Sequence, residues 1–167
     1  MIIDIDLREE LAELLKDYGV NAIYQKTSRL MKCKCVDPLY KSPDVNCKIC
    51  NGSGKLVKMV KVKMIVSEQW PPNRKNLIGE SQIGDISTPY INFFIPNTIV
   101  PYTKDVIYLV GWVKGKAVNI KGVYEIKGYQ GFRGENGRIE FYYITAMYRP
   151  DMIDRGQKYI DKLRGKK

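Results

Sequence analysis

All four cysteines of this 167-residue chain fall in one short stretch: Cys33, Cys35, Cys47 and Cys50. They read C-x-C, an intervening loop, then C-x-x-C followed at once by Asn51-Gly52-Ser53-Gly54. Zinc takes four tetrahedral ligands, and thiolates at about 2.3 Å suit it. A C-x-x-C turn places two thiolates on one side of an ion. The glycines after it can take positive φ, which lets backbone N–H groups turn toward the sulfurs. Between the cysteine pairs, Asp37-Pro38 and Ser42-Pro43-Asp44 are turn signals. The four cysteines are therefore candidate ligands of a closed structural zinc site, one ion per chain. A loop this long without a core of its own would order only with its metal.

Two disulfides would use the same residues. Met1-Ile2-Ile3-Asp4 lacks the basic start and apolar core of a secretory leader, so a reducing compartment is expected. There, clustered cysteines are more often metal ligands. A catalytic zinc usually mixes histidine or carboxylate with an open water position, and this chain has no histidine.

The remaining composition narrows the function classes. Hydrophobic residues make up 44%, enough for a globular core. No apolar run approaches the roughly 18 residues that cross a bilayer, so no membrane partner is expected. The formal charge is +10, and four zinc-bound thiolates would lower it to about +8. Between Lys26 and Lys63 stand ten basic residues and two acidic ones, Asp37 and Asp44. The tail from Arg155 to Lys167 holds six basic residues against Asp161. Basic character thus gathers around the cysteines and at the C-terminus. It permits non-specific contact with DNA and equally suits a solvated surface.

Hydrophobic periodicity predicts a helix over Asp6–Tyr18, with Leu7, Leu11, Leu14, Leu15 and Tyr18 in one stripe, Asp6 as cap and Gly19 as stop. The stripe must cover its own domain or a neighbouring subunit. Strands are expected at Val20–Thr27 and Leu56–Ser67, the second with a bulge near Met59-Val60, where the apolar parity changes. The cysteine loop then sits at the end of a β-ribbon. Trp70-Pro71-Pro72-Asn73 breaks the chain, and Gln69–Gly84 reads as a long loop. Further strands are expected at Tyr90–Ile95, Asp105–Val110, a weak Trp112–Ile120, Gly122–Tyr129 and Arg138–Tyr148, the last covered on both sides. A short helix over Asp151–Leu163, weakened by Gly156, closes the chain. The expected architecture is mainly β: a small barrel or sandwich with an N-terminal helix, an inserted four-cysteine zinc loop and a short C-terminal helix. The organisation is a helix at 1–19, a barrel at 20–149 carrying the zinc loop at 32–55, and a basic helix and tail at 150–167.

Enzyme chemistry finds little support. There is no histidine to serve as a base near neutral pH, no phosphate-cradling glycine loop, and no small-molecule site is expected. Glu9-Glu10 and Asp151 with Asp154 read as helix faces or caps. Twelve tyrosines mostly fall in expected strands. Lys127, Tyr129, Phe132 and Arg133 are the best candidates for a base-stacking face, though a barrel core and rim would use the same residues.

The segment Tyr24-Gln25-Lys26-Thr27-Ser28-Arg29 through Cys33-Lys34-Cys35, with Pro43-Asp44-Val45-Asn46-Cys47-Lys48-Ile49-Cys50-Asn51-Gly52-Ser53-Gly54, resembles zinc-loop segments in structural proteins of the tailed-bacteriophage head–tail junction. Phe93-Phe94-Ile95-Pro96, Tyr102-Thr103-Lys104-Asp105-Val106-Ile107 and Val123-Tyr124-Glu125-Ile126 are similar to strands of their small β-barrel. The similarity spans most of residues 1–149. C-x-x-C-x-G-x-G also occurs in J-domain chaperones, which repeat it four times where this chain has it once. The phage resemblance implies a non-enzymatic neck, connector or head-closure subunit of the virion, made in the host cytoplasm. It further implies a homo-oligomeric ring between portal and tail proteins, around the DNA passage. The loop Gln69–Gly84 and the terminal helices would then be candidate contacts. A zinc-ribbon nucleic-acid-binding protein is the alternative.

Overall fold

The structure, a computed structural model, describes residues 6–50, 52–67, 90–134 and 137–165. Helix α1 (Leu7–Tyr18) is followed by six strands: β1 (Val20–Lys32), β2 (Lys55–Ser67), β3 (Tyr90–Pro96), β4 (Val106–Val113), β5 (Lys116–Arg133) and β6 (Ile139–Tyr148). A 3₁₀ turn at Pro150–Met152 leads into helix α2 (Ile153–Leu163). The strands form a closed antiparallel barrel in the order β1-β2-β3-β6-β5-β4, with β4 returning to β1. The expected mainly-β architecture with a helix at each end is therefore the observed one. Closure leaves the barrel without a free sheet edge. Among the described residues no helix is long and apolar enough to cross a membrane. The expected loop Gln69–Gly84 lies outside the described residues.

Two cores hold this shell. Inside the barrel, Ala22, Tyr24, Val62, Met64, Phe93, Ile95, Ile107, Ile126, Ile144 and Ala146 pack together, as the period-2 alternation of half-buried strands requires. The link from β3 to β4 joins strands that are not neighbours in the ring. Its Ile99 packs against the interior core and its Pro101 is fully buried. The second core lies outside the barrel. Ile23, Val106, Tyr108, Val110 and Val123 point outward from β1, β4 and β5 and are covered by Met152, Ile153, Tyr159 and Ile160. This second layer explains why four consecutive residues, Ala22 to Gln25, are buried on β1.

It also corrects the expected bulge in β2. The β1–β2 register runs unbroken from Val20↔Met64 to Thr27↔Val57, and the irregularity falls later, between Thr27 and Lys32. Met59 breaks the apolar parity because it faces the outer core. β4 continues through Gly111 to Val113. Lys114 and Gly115, at φ 49° and 73°, turn the chain into β5. The two strands expected at Trp112–Ile120 and Gly122–Tyr129 are thus the end of β4 and one long, bulged β5. Where the β4–β5 register shifts, the Gln157 side chain of α2 supplies partners. Its Oε1 accepts from Ile120 N–H at 2.9 Å and its Nε2 donates to the Val118 carbonyl at 3.2 Å.

β6 is buried on its inner face alone, through Glu140, Tyr142, Ile144 and Ala146. Its outward Phe141 and Tyr143 are half-covered by Phe94 and Phe132, with Phe132 stacked on Phe141 at 4.7 Å. Local aromatic pairs therefore replace the expected second layer on that side.

The α1 stripe divides. Leu11 and Leu15 are buried against the chain's own barrel, while Leu14 and Tyr18 stay exposed. Asp6 caps the helix by accepting from Arg8 N–H at 3.0 Å. Arg8 ties it to β6, donating to the Ile139 carbonyl at 2.9 Å and pairing with Glu140. Gly156 has a packing role. A β-carbon there would lie 2.4 Å from Ile120 Cδ1 and 2.8 Å from the Tyr108 ring. The glycine that weakens α2 as a helix lets it seat on β4 and β5. Gly156→Val is expected to cost about 1–3 kcal/mol by overpacking and to raise hydrogen exchange in α2 before the barrel strands; unchanged α2 exchange would refute this.

Candidate metal centre

The cysteines sit where β1 and β2 leave the barrel as a two-stranded ribbon. Lys32↔Lys55 is its last pair, and Cys33 N–H donates to the Gly54 carbonyl at 2.9 Å just beyond it. The loop between is built from side-chain-to-backbone turns. Asp37 Oδ1 accepts from the N–H groups of Leu39 (2.7 Å) and Tyr40 (3.0 Å), and Asp44 Oδ1 accepts from Asn46 N–H at 2.9 Å. Asp44 also accepts Cys47 N–H on its carbonyl at 3.1 Å, which starts the C-x-x-C turn. Aspartate favours such turns because its short side chain bonds the backbone two residues on.

Gly52 and Gly54 adopt positive φ, 75° and 73°, as the motif predicts. Gly52 is also a point of close approach. A β-carbon would lie 2.6 Å from Arg155 Nη1 and 2.9 Å from the Val45 carbonyl oxygen. The ribbon end is thereby pressed against the start of α2. Backbone N–H groups of Cys50 and Ile49 reach the Cys47 sulfur, and that of Asp44 reaches Cys35.

The four Sγ atoms lie within 4.8 Å of one another. Cys33 and Cys47 are 3.7 Å apart, Cys35 and Cys50 3.4 Å. A disulfide needs about 2.05 Å, and all four cysteines are free. A tetrahedral ion with bonds near 2.3 Å sets its sulfurs about 3.8 Å apart, so the donor set fits a metal centre. Cys33 and Cys50 are buried and the other two partly so. Backbone N–H groups of Cys50 and Ile49 pull the Cys47 thiol down to about 6. Burial, then sharing with Cys50, pushes Cys35 up to about 12. The four sequence-predicted ligands are thus brought together.

The candidate base-stacking residues do not share one face. Lys127 is held by Glu125 at 2.5 Å, and Arg133 donates to the Gly137 carbonyl at 2.6 Å. Tyr129 packs on inward Tyr142 while Phe132 stacks on outward Phe141: three residues apart in an unbroken register, they fall on opposite faces of β5. Asp151 is engaged by Arg149 at 2.8 Å, and Glu9, Glu10 and Asp154 lie at the surface.

A buried polar network beneath the ribbon was not legible in the sequence. Asp105 is fully buried and accepts from Tyr24 Oη (2.7 Å), Thr27 N–H (2.8 Å) and Tyr102 N–H (3.1 Å). It joins β1, where the ribbon leaves the barrel, to the turn before β4. Burial holds its carboxyl above the usual range, although Thr27 N–H and the Tyr24 hydroxyl act the other way. Burial, with Asp105 beside it, also raises the Tyr24 hydroxyl, which stays protonated and donates. No family model and no curated protein matches the chain.

Proposed function

We propose that the protein is a non-enzymatic assembly subunit that engages its neighbours through the cysteine-clamped ribbon. Its proposed setting is the head–tail junction of a tailed bacteriophage, in a ring of copies against portal or tail proteins. The observation that carries this reading is what the ribbon end presents to solvent. Leu30 is 92% exposed, Leu39 84% and Tyr40 82%, with Met31, Val45 and Ile49 also exposed. Several large apolar side chains exposed on one projection mark a protein-contact surface. The resemblance of the cysteine segment to phage neck proteins supplies the setting.

Zinc is the proposed ion. An all-thiolate donor set without histidine or carboxylate suits a borderline-soft, redox-inert cation in a closed site. When bound, it would neutralise part of the thiolate charge and fix the ribbon end. Arg155 of α2 lies against that end at Gly52.

Mass spectrometry of purified virions of the encoding phage tests the setting. The chain should be present at a fixed ratio to the portal protein. Leu39→Asp with Tyr40→Asp should leave the fold intact and give heads without attached tails. Complete absence of the chain from virions would overturn the setting.

A further inference from the structure

A cleft of roughly 470 Å³ opens between the ribbon, the turn before β4 and the start of α2. Arg29, Lys55, Lys104, Arg149 and Arg155 line it, with Glu125 as the one carboxylate among the described lining residues. We propose that this cleft binds the phosphodiester backbone of a nucleic-acid strand.

Its charge is in large part uncompensated. Glu125 is taken by Arg149 and Lys127. Arg29, Lys55 and Lys104 make no ion pair among the described residues. Two of the three are held in place. The Arg29 guanidinium lies 3.8 Å above the Tyr102 ring, which costs it no charge and leaves its donor fork available. Tyr102 is fixed in turn through its N–H to buried Asp105. Lys104 occupies the same turn at φ 76°. That left-handed conformation is unfavourable for a lysine and free for a glycine. Local folding therefore prefers glycine where the chain places a cation.

The ribbon points to the same ligand. Lys55 stands directly opposite Lys32, and Lys58 directly opposite Lys26. Like charges so placed repel across a β-ladder. A row of phosphates relieves that repulsion, and repeated cations along an extended ribbon match repeated anions along a strand. Contacts of this kind give affinity without reading sequence. Tyr102, 37% exposed beneath Arg29, adds an aromatic surface beside the phosphate track.

The inference stands apart from the assembly role, because its test uses purified, metal-loaded, full-length protein and no virion. Fluorescence anisotropy with a labelled single strand of mixed sequence, and with its duplex, is measured across a potassium chloride series. The wild type should bind unrelated sequences with equal Kd. Arg29→Gln and Lys104→Gly should each weaken binding to all of them and lower the slope of log Kd against log salt by about 1. Lys104→Gly should melt no lower than the wild type, which separates lost binding from lost folding. Lys121→Gln, on exposed β5, should change nothing. A wild type that leaves both probes free at low salt would overturn the proposal. So would unchanged Kd and slope in the Arg29→Gln/Lys104→Gly double variant, or displacement of the strand by polyglutamate at equal charge.

Discussion

Replacing Asp105 with alanine is expected to lower global stability by about 3 kcal/mol and the melting temperature by about 6–12 °C. The carboxylate serves three donors at 2.7–3.1 Å in a site without solvent. Alanine leaves the buried Tyr24 hydroxyl and the part-buried Thr27 and Tyr102 N–H groups without their acceptor, each costing roughly 1 kcal/mol. Tyr24→Phe removes one partner and should cost only about 1 kcal/mol. Asp105→Asn should fall between them, since its amide can accept from the side of Tyr24 and Tyr102 but presents a donor to Thr27 N–H.

The pH dependence of this network has a definite sign. Burial raises the folded pKa of Asp105 above its ordinary 3.8. Folding therefore takes up a proton between the two values. The stabilisation is fully present below the unfolded pKa and is lost as pH rises through the folded one. Glu140 behaves oppositely: the hydrogen bond from Arg138 holds it below the usual range. Its contribution is present above the unfolded pKa and lost as pH falls through the folded one. Urea denaturation from acid to neutral pH separates the two. Relative to Asp105→Asn, the wild type should lose stability with rising pH; relative to Glu140→Gln, it should gain. Parallel curves in the first comparison would mean that Asp105 titrates as it does unfolded.

Cys47→Ser is expected to abolish stoichiometric metal binding and to release residues 33–54 while the barrel stays folded. The ribbon end owes its order to short turns and four sulfurs, whereas the barrel and the outer core under α2 have their own apolar cores. Structural metal sites contribute their binding energy to the folding of the segment they close. Hydrogen exchange should show full loss of protection in the loop and near-native protection in β3, β5 and β6. A variant that unfolds as one unit would show that ribbon and barrel are a single cooperative body.

The cysteine centre and the strand content were legible because they rest on local signals, namely ligand spacing, glycine turns and period-2 alternation. What was not legible depends on what lies across the fold. Met59 reads as a bulge until α2 is seen covering the outer face of β1, β4 and β5. Gly156 reads as a helix weakness until Ile120 and Tyr108 are found against it. Asp105 lies 81 residues from Tyr24 and 78 from Thr27, so no window of sequence pairs them. The basic density of Lys26 to Lys63 was plain in the chain, but only the closed barrel brings Arg29 and Lys55 to Lys104 and Arg155.

The metal content of the purified protein is the most direct measurement. Protein prepared without added zinc, desalted and analysed by inductively coupled plasma mass spectrometry, should carry about one zinc per chain, with no thiol reactive to Ellman's reagent until a chelator is added. Metal-free protein with Cys33, Cys35, Cys47 and Cys50 joined in two disulfides would contradict the account.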